Sequence, residues 1–445
     1  MIGLQETTVP SKRKVSSAWA VLMVAFLTTA AILFLVVPRL ENAFALRYSV
    51  LFQDGYDLIA NNLAHGNGYR WDANMGETMI REPGYPLFLA VVFKLGGYHL
   101  GAARFANWLL SIGISLMIMR LSRLVIDDEK VALIASLLFL LNPGTLICEA
   151  RGGVEVLFIF AILAFMLALH RAVETRSPVR YLIAGLVLGV VVQIRSTPIA
   201  FPALLMLYLC LTAIGMRERL RVVSNVTILT LGMVAVMAPW TIRNYLLVHE
   251  FVPTATVQGL AIQEGQYTCE NVSSGRSFYV LQTEAGQKRD ELAAQLGIQV
   301  GNQYYQVFSS PQDEWRLNQA LLHGARAEYA QHPALFATCV ARNTLNFWFL
   351  GKTQKVTSVN VSIQLPMLLL AVSGLYLLHR RGELRKMGVI LMFCLAIFAV
   401  HLAVIAAARY SIPVIALLTI PAGVSVVSIW RKYSTYALRE TSSVA

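Results

Sequence analysis

Apolar runs recur along the whole chain, and most are about 15 to 21 residues long, close to the length needed to cross a hydrocarbon core. They predict ten membrane spans, at 17–37, 104–120, 131–147, 154–170, 181–194, 198–215, 222–239, 362–379, 387–405 and 410–430. Clusters of lysine and arginine lie between alternate runs, as is typical of cytoplasmic segments. The pattern therefore predicts an all-α polytopic membrane protein with both termini inside.

The first outer loop contains two stretches that are helical in pattern but too short to span. Projected at about 100° per residue, the stretch beginning at Gln53 has an apolar side and a polar side, formed respectively by Tyr56, Ile59, Ala60 and Leu63, and by Asp54, Asp57, Asn61 and Asn62. Residues Tyr85 to Leu95 reach only about 16 Å as a helix. We expect both helices to lie in the membrane surface.

Three parts follow from this pattern. Residues 1–245 form an N-terminal membrane module whose first outer loop, 38–103, carries the candidate chemistry. Residues 246–361 form an outer segment with helices and an interfacial stretch, and 362–445 contain the last membrane helices and a cytoplasmic tail. The outer segment lacks a strong apolar core, so it is expected to pack on the embedded part.

Composition excludes an ordinary soluble protein. Of 445 residues, 56% are hydrophobic, and the mean hydropathy is +0.59, well above the range of soluble globular chains. The net charge of +12 is divided among short clusters, which does not indicate nucleic-acid binding.

The five cysteines form no CxxC pair and no metal-ligand spacing. Scattered thiols are one interpretation, and a disulfide between Cys269 and Cys339 is the other. No metal site or cofactor is indicated, and a requirement for a divalent cation is left open. P-loop, GxGxxG, HExxH and GxSxG motifs are absent from the sequence.

Two carboxylates near the outer ends of spans are candidate catalytic groups. Asp54 can serve as a general base for an acceptor hydroxyl, although a solvated charge on an amphipathic helix is the simpler interpretation. Glu155 follows two glycines at the mouth of a span that has no further charge until Arg171. An acid in that place more often faces a cavity than lipid.

Four arginines share one setting, each next to proline, serine, threonine or an aromatic residue at the predicted outer face: Arg81, Arg195, Arg243 and Arg409. A guanidinium fork suits two phosphate oxygens. Extension of each arginine to lipid headgroups is the alternative. Four such residues on one face favour a shared anion site.

The order of these motifs resembles that of the GT-C glycosyltransferases, especially bacterial aminoarabinose transferases and protein O-mannosyltransferases. The likeness runs from Asp54 to Pro413 and is carried by these segments: Tyr56 to Tyr69, Arg81 to Pro86, Glu155 to Phe158, Pro239 to Asn244, and Arg409 to Pro413. Two features depart from it. Arg81-Glu82-Pro83 replaces a lysine-proline pair, and Asp54-Gly55 replaces an Asp-Glu pair.

The resemblance implies a donor sugar on a polyprenyl phosphate, a lipid, glycan or protein acceptor, membrane lipids as partners, and a multi-pass protein of the bacterial inner membrane whose site faces the periplasm. It implies catalytic roles for Asp54 and Glu155. We assign the donor phosphate to Arg81, Arg195, Arg243, Arg409 and Tyr410, and acceptor or secondary contacts to Asp57, Tyr85, Asn244 and Glu264.

Two further functions remain open on sequence alone. One is a transporter or flippase for a lipid-linked anion, which more often shows paired repeats and charges at the middle of the membrane. The other is an outer-face glycan ligase or polymerase, which also relies on arginines in outer loops.

The topology can be tested with single cysteines. Replacements of Arg123 and Arg219 lie in predicted cytoplasmic segments, so a membrane-impermeant maleimide added to intact cells should not label them, whereas a cysteine in place of Glu77 should be labelled. Labelling of the first two positions from outside would overturn the predicted orientation.

Overall fold

The computed structural model describes residues 12–39, 53–300 and 308–443. Residues 40–52 of the predicted first outer loop and 301–307 of the outer segment lie outside these ranges. Within these ranges the secondary structure is helical, apart from one isolated antiparallel β-bridge between Val300 and Phe308.

Seventeen α-helices form the described part of the chain. The first ten are α1 Lys12–Ala31, α2 Tyr56–Ala64, α3 Gly84–Gly96, α4 Leu100–Ile126, α5 Glu129–Leu140, α6 Pro143–Ala150, α7 Val154–Thr175, α8 Pro178–Ile194, α9 Phe201–Thr212 and α10 Met216–Val248. The other seven are α11 Val257–Asn271, α12 Phe278–Gln295, α13 Pro311–Gln331, α14 Pro333–Phe349, α15 Gln354–Arg380, α16 Gly388–Ala403 and α17 Ile412–Ser443.

Seven stretches in the described ranges are long and apolar enough to cross a membrane: Trp19–Arg39, Leu100–Ile126, Val154–Thr175, Met216–Val248, Gln354–Arg380, Leu384–Ala403 and Ala408–Ser434. Helices α5 and α6 make an eighth if their 49° bend lies within one span. The all-α multi-pass fold predicted from hydropathy is therefore confirmed.

The predicted number of ten spans is approximate. The predicted spans 181–194 and 198–215 fall on apolar helices of 10–17 residues, Pro178–Ile194 and Thr197–Thr212, shorter than the other spans. Helix α3 also falls in this shorter class, which agrees with the prediction that residues 85–95 are too short to span.

The last span is the centre of the bundle. Ala408–Ser434 is 83% buried inside the protein, whereas Trp19–Arg39 is only 22% buried. Helix α17 packs against α15 and α5.

Helix α8 packs closely against α10. A side-chain carbon on Gly185 of α8 would overlap the carbonyl oxygen of Leu229 in α10. Glycine at this position permits the close approach of the two helices.

The first outer loop and the outer helices share a second apolar core, separate from that of the membrane helices. Tyr69, Trp71 and Ile80 of the loop pack with Leu317 and Leu321 of α13. This apolar core thus contains residues of both parts.

A buried carboxylate joins these two parts by hydrogen bonds. Glu314 of α13 accepts from the Thr78 hydroxyl at 2.6 Å and from the Met79 backbone N–H at 3.0 Å. The Thr256 hydroxyl also donates to it. Burial raises the pKa of Glu314, and these three donors oppose that rise. The contact fixes the loop two residues before Arg81.

The open question of the cysteines is answered by a disulfide. Cys269 of α11 and Cys339 of α14 are bonded, with Cα atoms 5.7 Å apart. The other three, Cys148, Cys210 and Cys394, are free thiols. The bond connects two outer helices that are 70 residues apart in the sequence.

Replacing Glu314 by alanine should destabilise the protein strongly, because two hydroxyls and one backbone N–H lose their acceptor at about 1–3 kcal/mol each. We expect a fall of several degrees in the melting temperature in detergent. Glu291→Ala is the matched control, since this exposed residue pairs only with Lys288. Equal melting temperatures for the two variants would contradict the assigned role of Glu314.

Candidate active site

Asp54 lies in a strained turn that precedes α2. Its φ is +75° and that of Gly55 is +68°, so both residues occupy the left-handed region. Helix α2 begins at Tyr56. The prediction that a helix starts at Gln53 and carries Asp54 on its polar face was therefore wrong. A non-glycine residue in this conformation is uncommon and is often held there by its surroundings.

The rest of α2 is also more enclosed than a helix lying on a membrane surface. Asp57 and Asn62, both expected on the polar side, are buried. Asn62 donates its side-chain amide to the carbonyl oxygens of Arg70 and Trp71. The polar face therefore packs against the chain that follows it, instead of facing solvent.

Asp54 contacts arginines from two distant parts of the sequence. Its Oδ2 pairs with Nη2 of Arg409 at 2.5 Å. Its carbonyl oxygen accepts from Nε of Arg81 at 3.2 Å, and the Arg81 guanidinium lies 5.3 Å from the centre of the Tyr56 ring. One residue thus holds two of the predicted phosphate-binding arginines.

Glu155 also approaches Arg409. Its Oε1 is 3.8 Å from Nε of Arg409 and 3.4 Å from Nη2 of Arg195. The side chain is only 7% exposed, and its position in the first turn of α7 is favourable for a carboxylate. Two arginines therefore share one buried acid.

The Tyr410 ring completes this cluster. The guanidinium carbons of Arg195 and Arg409 lie 5.3 Å and 5.0 Å from the ring centre. His401 stacks on the same ring, with centroids 4.5 Å apart. The aromatic face attracts both guanidinium groups and limits where they can turn.

The segment that follows Arg81 packs against the residues on either side of Arg195. The Glu82 carboxylate accepts from the Ser196 backbone N–H at 3.1 Å. Gly84 lies so close to Gln193 that a side-chain carbon there would be 2.6 Å from its carbonyl oxygen. Sequence reasoning left the role of Glu82 open, and its contact is with the turn that follows α8.

Arg409 is positioned by the short 3₁₀ turn Ala408–Ser411 that precedes α17. The Ala408 backbone N–H donates to the carbonyl oxygen of Leu350 at 2.9 Å. The Ser411 hydroxyl donates to Oε1 of Gln364 at 2.9 Å. Both partners belong to the α14–α15 region, so this region fixes the arginine at the top of the central helix.

The charges of the cluster keep Asp54 ionised. Burial alone would raise the pKa of Asp54, but Arg409 and Arg81 lower it more and hold it well below its ordinary value. A carboxylate paired in this way is a weak base, because removing a proton from a hydroxyl requires a higher proton affinity.

Arg243 and Asn244 lie apart from these contacts. Arg243 donates to the carbonyl oxygen of Thr78 at 2.8 Å and pairs with Glu77 at 3.4 Å. It also stacks on Trp240 at 4.7 Å. Asn244 is fully buried and donates to the carbonyl oxygen of Val252 at 3.1 Å. The structure thus groups three of the four predicted arginines and places Arg243 against the first loop.

Asp57 and Tyr85 are buried beside the cluster and have other partners. The Tyr98 hydroxyl donates to Oδ2 of Asp57 at 2.7 Å. Burial raises the pKa of Asp57, and the Tyr98 hydrogen bond opposes that rise. Tyr85 donates to the carbonyl oxygen of Gly152 and packs edge-on against Tyr56, with ring centroids 5.3 Å apart.

Glu264 approaches the site from the outer helices. A side-chain carbon on the next residue, Gly265, would overlap the carbonyl oxygen of Val404, so α11 lies directly on the chain that leads to Arg409. Burial raises the pKa of Glu264; a hydrogen bond from Gln282 and the charge of Arg409 lower it.

Lys352 was missed by sequence reasoning. Partial burial lowers its pKa, and the positive charges of Arg409 and Arg151 lower it further. Asp54 and Glu264 act in the opposite direction. The side chain is exposed, and its ammonium lies 6.0 Å from the centre of the Tyr279 ring. A lone lysine in a short loop has no periodic or motif signal.

No group of three or more histidine, cysteine, aspartate and glutamate side chains suited to a metal ion occurs within residues 12–39, 53–300 and 308–443.

A known family model matches part of the chain. The family model described as dolichyl-phosphate-mannose-protein mannosyltransferase matches residues 81–242. The predicted resemblance to GT-C glycosyltransferases is thereby confirmed for the region that carries the Arg81 and Glu155 motifs. It supports the prediction of a membrane glycosyltransferase. Asp54 and Arg409 lie outside the matched residues.

Solved structures also show similarity. The crystal structure of ArnT from Cupriavidus metallidurans bound to undecaprenyl phosphate is 15% identical, with 94% of this chain and 78% of that chain covered and a TM-score of 0.40. The apo structure of the same protein is 15% identical, with 92% and 78% covered and a TM-score of 0.37. No curated protein sequence gives a match.

A double-mutant cycle tests the pairing of Asp54 with Arg409. Asp54→Asn and Arg409→Gln should each destabilise the protein, and the double variant should lose less than their sum. Since the two side chains are 27% and 29% exposed, we expect a coupling of about 1–3 kcal/mol, below that of a fully buried pair. Unfolding in detergent measures it. Strictly additive losses, like those expected for Lys288 and Glu291, would disprove the coupling.

Proposed function

We propose that this chain is a membrane glycosyltransferase that moves a sugar from a polyprenyl-phosphate donor to an acceptor hydroxyl. One observation carries the proposal. Asp54, Arg81, Glu155, Arg195 and Arg409 come from five separate parts of the sequence and meet at one end of the membrane helices. A general base and a group of phosphate-binding donors are the two requirements of this transfer.

The donor phosphate would bind to Arg409, Arg195 and Arg81. A guanidinium group carries five N–H donors, so it can hold a carboxylate and a phosphate oxygen together. Transfer leaves the lipid phosphate with additional negative charge. Fixed positive groups that stabilise this charge in an enclosed site lower the barrier to bond breaking.

Binding of that phosphate also explains how Asp54 becomes a base. A phosphate that draws Arg409 away weakens the pair now holding the pKa of Asp54 low. Asp54 then takes the proton of the acceptor hydroxyl. The hydroxyl oxygen forms a bond to the anomeric carbon, and the bond from that carbon to the phosphate oxygen breaks, with its electron pair leaving on the phosphate.

Glu155 would act on the arginines more than on the substrate. It is nearly enclosed and already accepts from Arg195, so little of it is available to an acceptor. Its charge keeps two arginines close together before the donor arrives. This makes Glu155 a positioning residue in the proposed reaction.

The fold and the family-model match to residues 81–242 support a setting for the proposed reaction. The chain is a multi-pass membrane protein, and we infer that it lies in a bacterial inner membrane with the site facing the periplasm. The donor lipid would be a polyprenyl phosphate, the chemical class to which the undecaprenyl phosphate bound to ArnT belongs.

Asp54→Asn should lower turnover by about 10²–10⁴-fold, the usual contribution of a general base, while donor binding stays within a few-fold. Asparagine tolerates a left-handed backbone, so the turn at +75° should persist. Transfer from a synthetic polyprenyl-phosphate sugar by purified protein measures this. The matched control is Asp72→Asn, an exposed acid in the same loop.

Near-normal transfer by Asp54→Asn would assign the base to another carboxylate and would reject this mechanism. Loss of donor binding with loss of turnover would show that Asp54 acts by holding Arg409. A chain that flips the lipid without cleaving the sugar-phosphate bond would refute the proposed function itself.

A further inference from the structure

A cavity of about 500 Å³ lies beside the arginine cluster. Its walls come from the end of α11, the turn leading into α12, the second half of α14, the start of α15 and the residues Ile405 and Ala406. None of the arginines assigned to the donor phosphate lines it. Its volume is within the range of pockets that bind small ligands.

The lining of this cavity is rich in groups that bind hydroxyls. Eight side chains with hydroxyl or amide groups line it: Thr268, Ser277, Asn343, Asn346, Thr353, Gln354, Thr357 and Ser358. Phe278 and Leu281 supply apolar surface. A sugar ring presents hydroxyls at its edge and C–H groups on its faces, so a carbohydrate suits this mixture.

The charge of the lining is positive. Arg276 and Arg342 line the cavity, and none of the described residues that line it is an aspartate or glutamate. Arg276 is paired with Glu284, so Arg342 supplies the main positive charge. Arg342 is held in place, because its Nη1 donates to the carbonyl oxygen of Cys269 at 2.8 Å. The other donors of this guanidinium are suited to a phosphate or carboxylate.

The cavity adjoins the reacting groups through one short segment. Leu350 and Ala406 line it, and the Leu350 carbonyl oxygen accepts the Ala408 backbone N–H one residue before Arg409. Lys352 stands between the lining residues Gly351 and Thr353. A ligand in the cavity would therefore contact the segment that carries Arg409, the partner of Asp54.

We propose that this cavity is the acceptor site and that it receives a hydroxyl-rich carbohydrate group carrying a negative charge. The inference rests on the proposed function and names its substrate class. A transferase needs its acceptor beside its donor, in an orientation that brings the two reacting atoms together. The arginine cluster provides for the donor phosphate, and the adjoining cavity, which is lined by Ala406, provides for the second substrate.

The test uses full-length protein in detergent and three probes: glucose 1-phosphate, glucose and inorganic phosphate. Saturation-transfer NMR gives the affinity of each. Glucose 1-phosphate should bind more tightly than either other probe. Arg342→Gln should weaken it by about tenfold or more, the loss expected for a hydrogen bond to a charged group. Arg326→Gln removes an exposed arginine outside the cavity and should leave binding unchanged.

Ser358→Leu provides a second variant that fills space without removing charge. It should also weaken glucose 1-phosphate binding. It keeps the proposal testable if Arg342→Gln fails to fold. The melting temperature of each variant is compared with that of the unaltered protein. Unchanged binding in both variants would overturn the proposal.

The arms of the experiment separate this inference from the proposed function. Binding that is lost in Arg409→Gln but retained in Arg342→Gln would place the anion at the donor cluster and reject the cavity as its site. Binding that depends on Arg342 and Ser358 supports the cavity even in Asp54→Asn. If the same protein then transfers no sugar from any polyprenyl-phosphate donor, the proposed function fails while the cavity remains an anionic-carbohydrate site.

Discussion

Asp54 and Arg409 are 355 residues apart in the sequence, yet their side chains form an ion pair of 2.5 Å. Neither residue can reach the other until the central helix α17 is packed and the turn before α2 has formed. Arg81 donates to the Asp54 carbonyl oxygen. Glu155 pairs with Arg195 and also approaches Arg409. The pair thus joins the beginning and the end of the membrane bundle, and the remaining contacts of the site are arranged around it.

The strain at Asp54 has a physical origin in these contacts. A left-handed backbone at a residue other than glycine costs about 1–3 kcal/mol. Two groups oppose that cost here, namely Arg409 on the side chain and Arg81 on the carbonyl oxygen. Such a turn aims the carboxylate at the arginines instead of along the face of α2. The conformation and the charge cluster therefore stabilise each other, as is common where a side chain must be held for chemistry.

Hydropathy and charge placement were enough to predict the all-α multi-pass fold, with the number of spans only approximate. They could not predict the turn at Asp54, because helical periodicity extended smoothly back through Gly55. Nor could they separate Arg243 from Arg81, Arg195 and Arg409, since all four have the same local setting; only packing against Trp240 and Glu77 distinguishes it. Lys352 and the cavity beside it depend wholly on how distant helices meet.

The segment from Val404 to Ser411 connects the outer helices to the membrane bundle. Gly265 of α11 lies on Val404, and Asn343 of α14 donates to the carbonyl oxygen of Leu402 at 3.0 Å. A disulfide connects these two helices. They therefore brace the stretch of backbone that carries Arg409, and they also form the walls of the adjoining cavity.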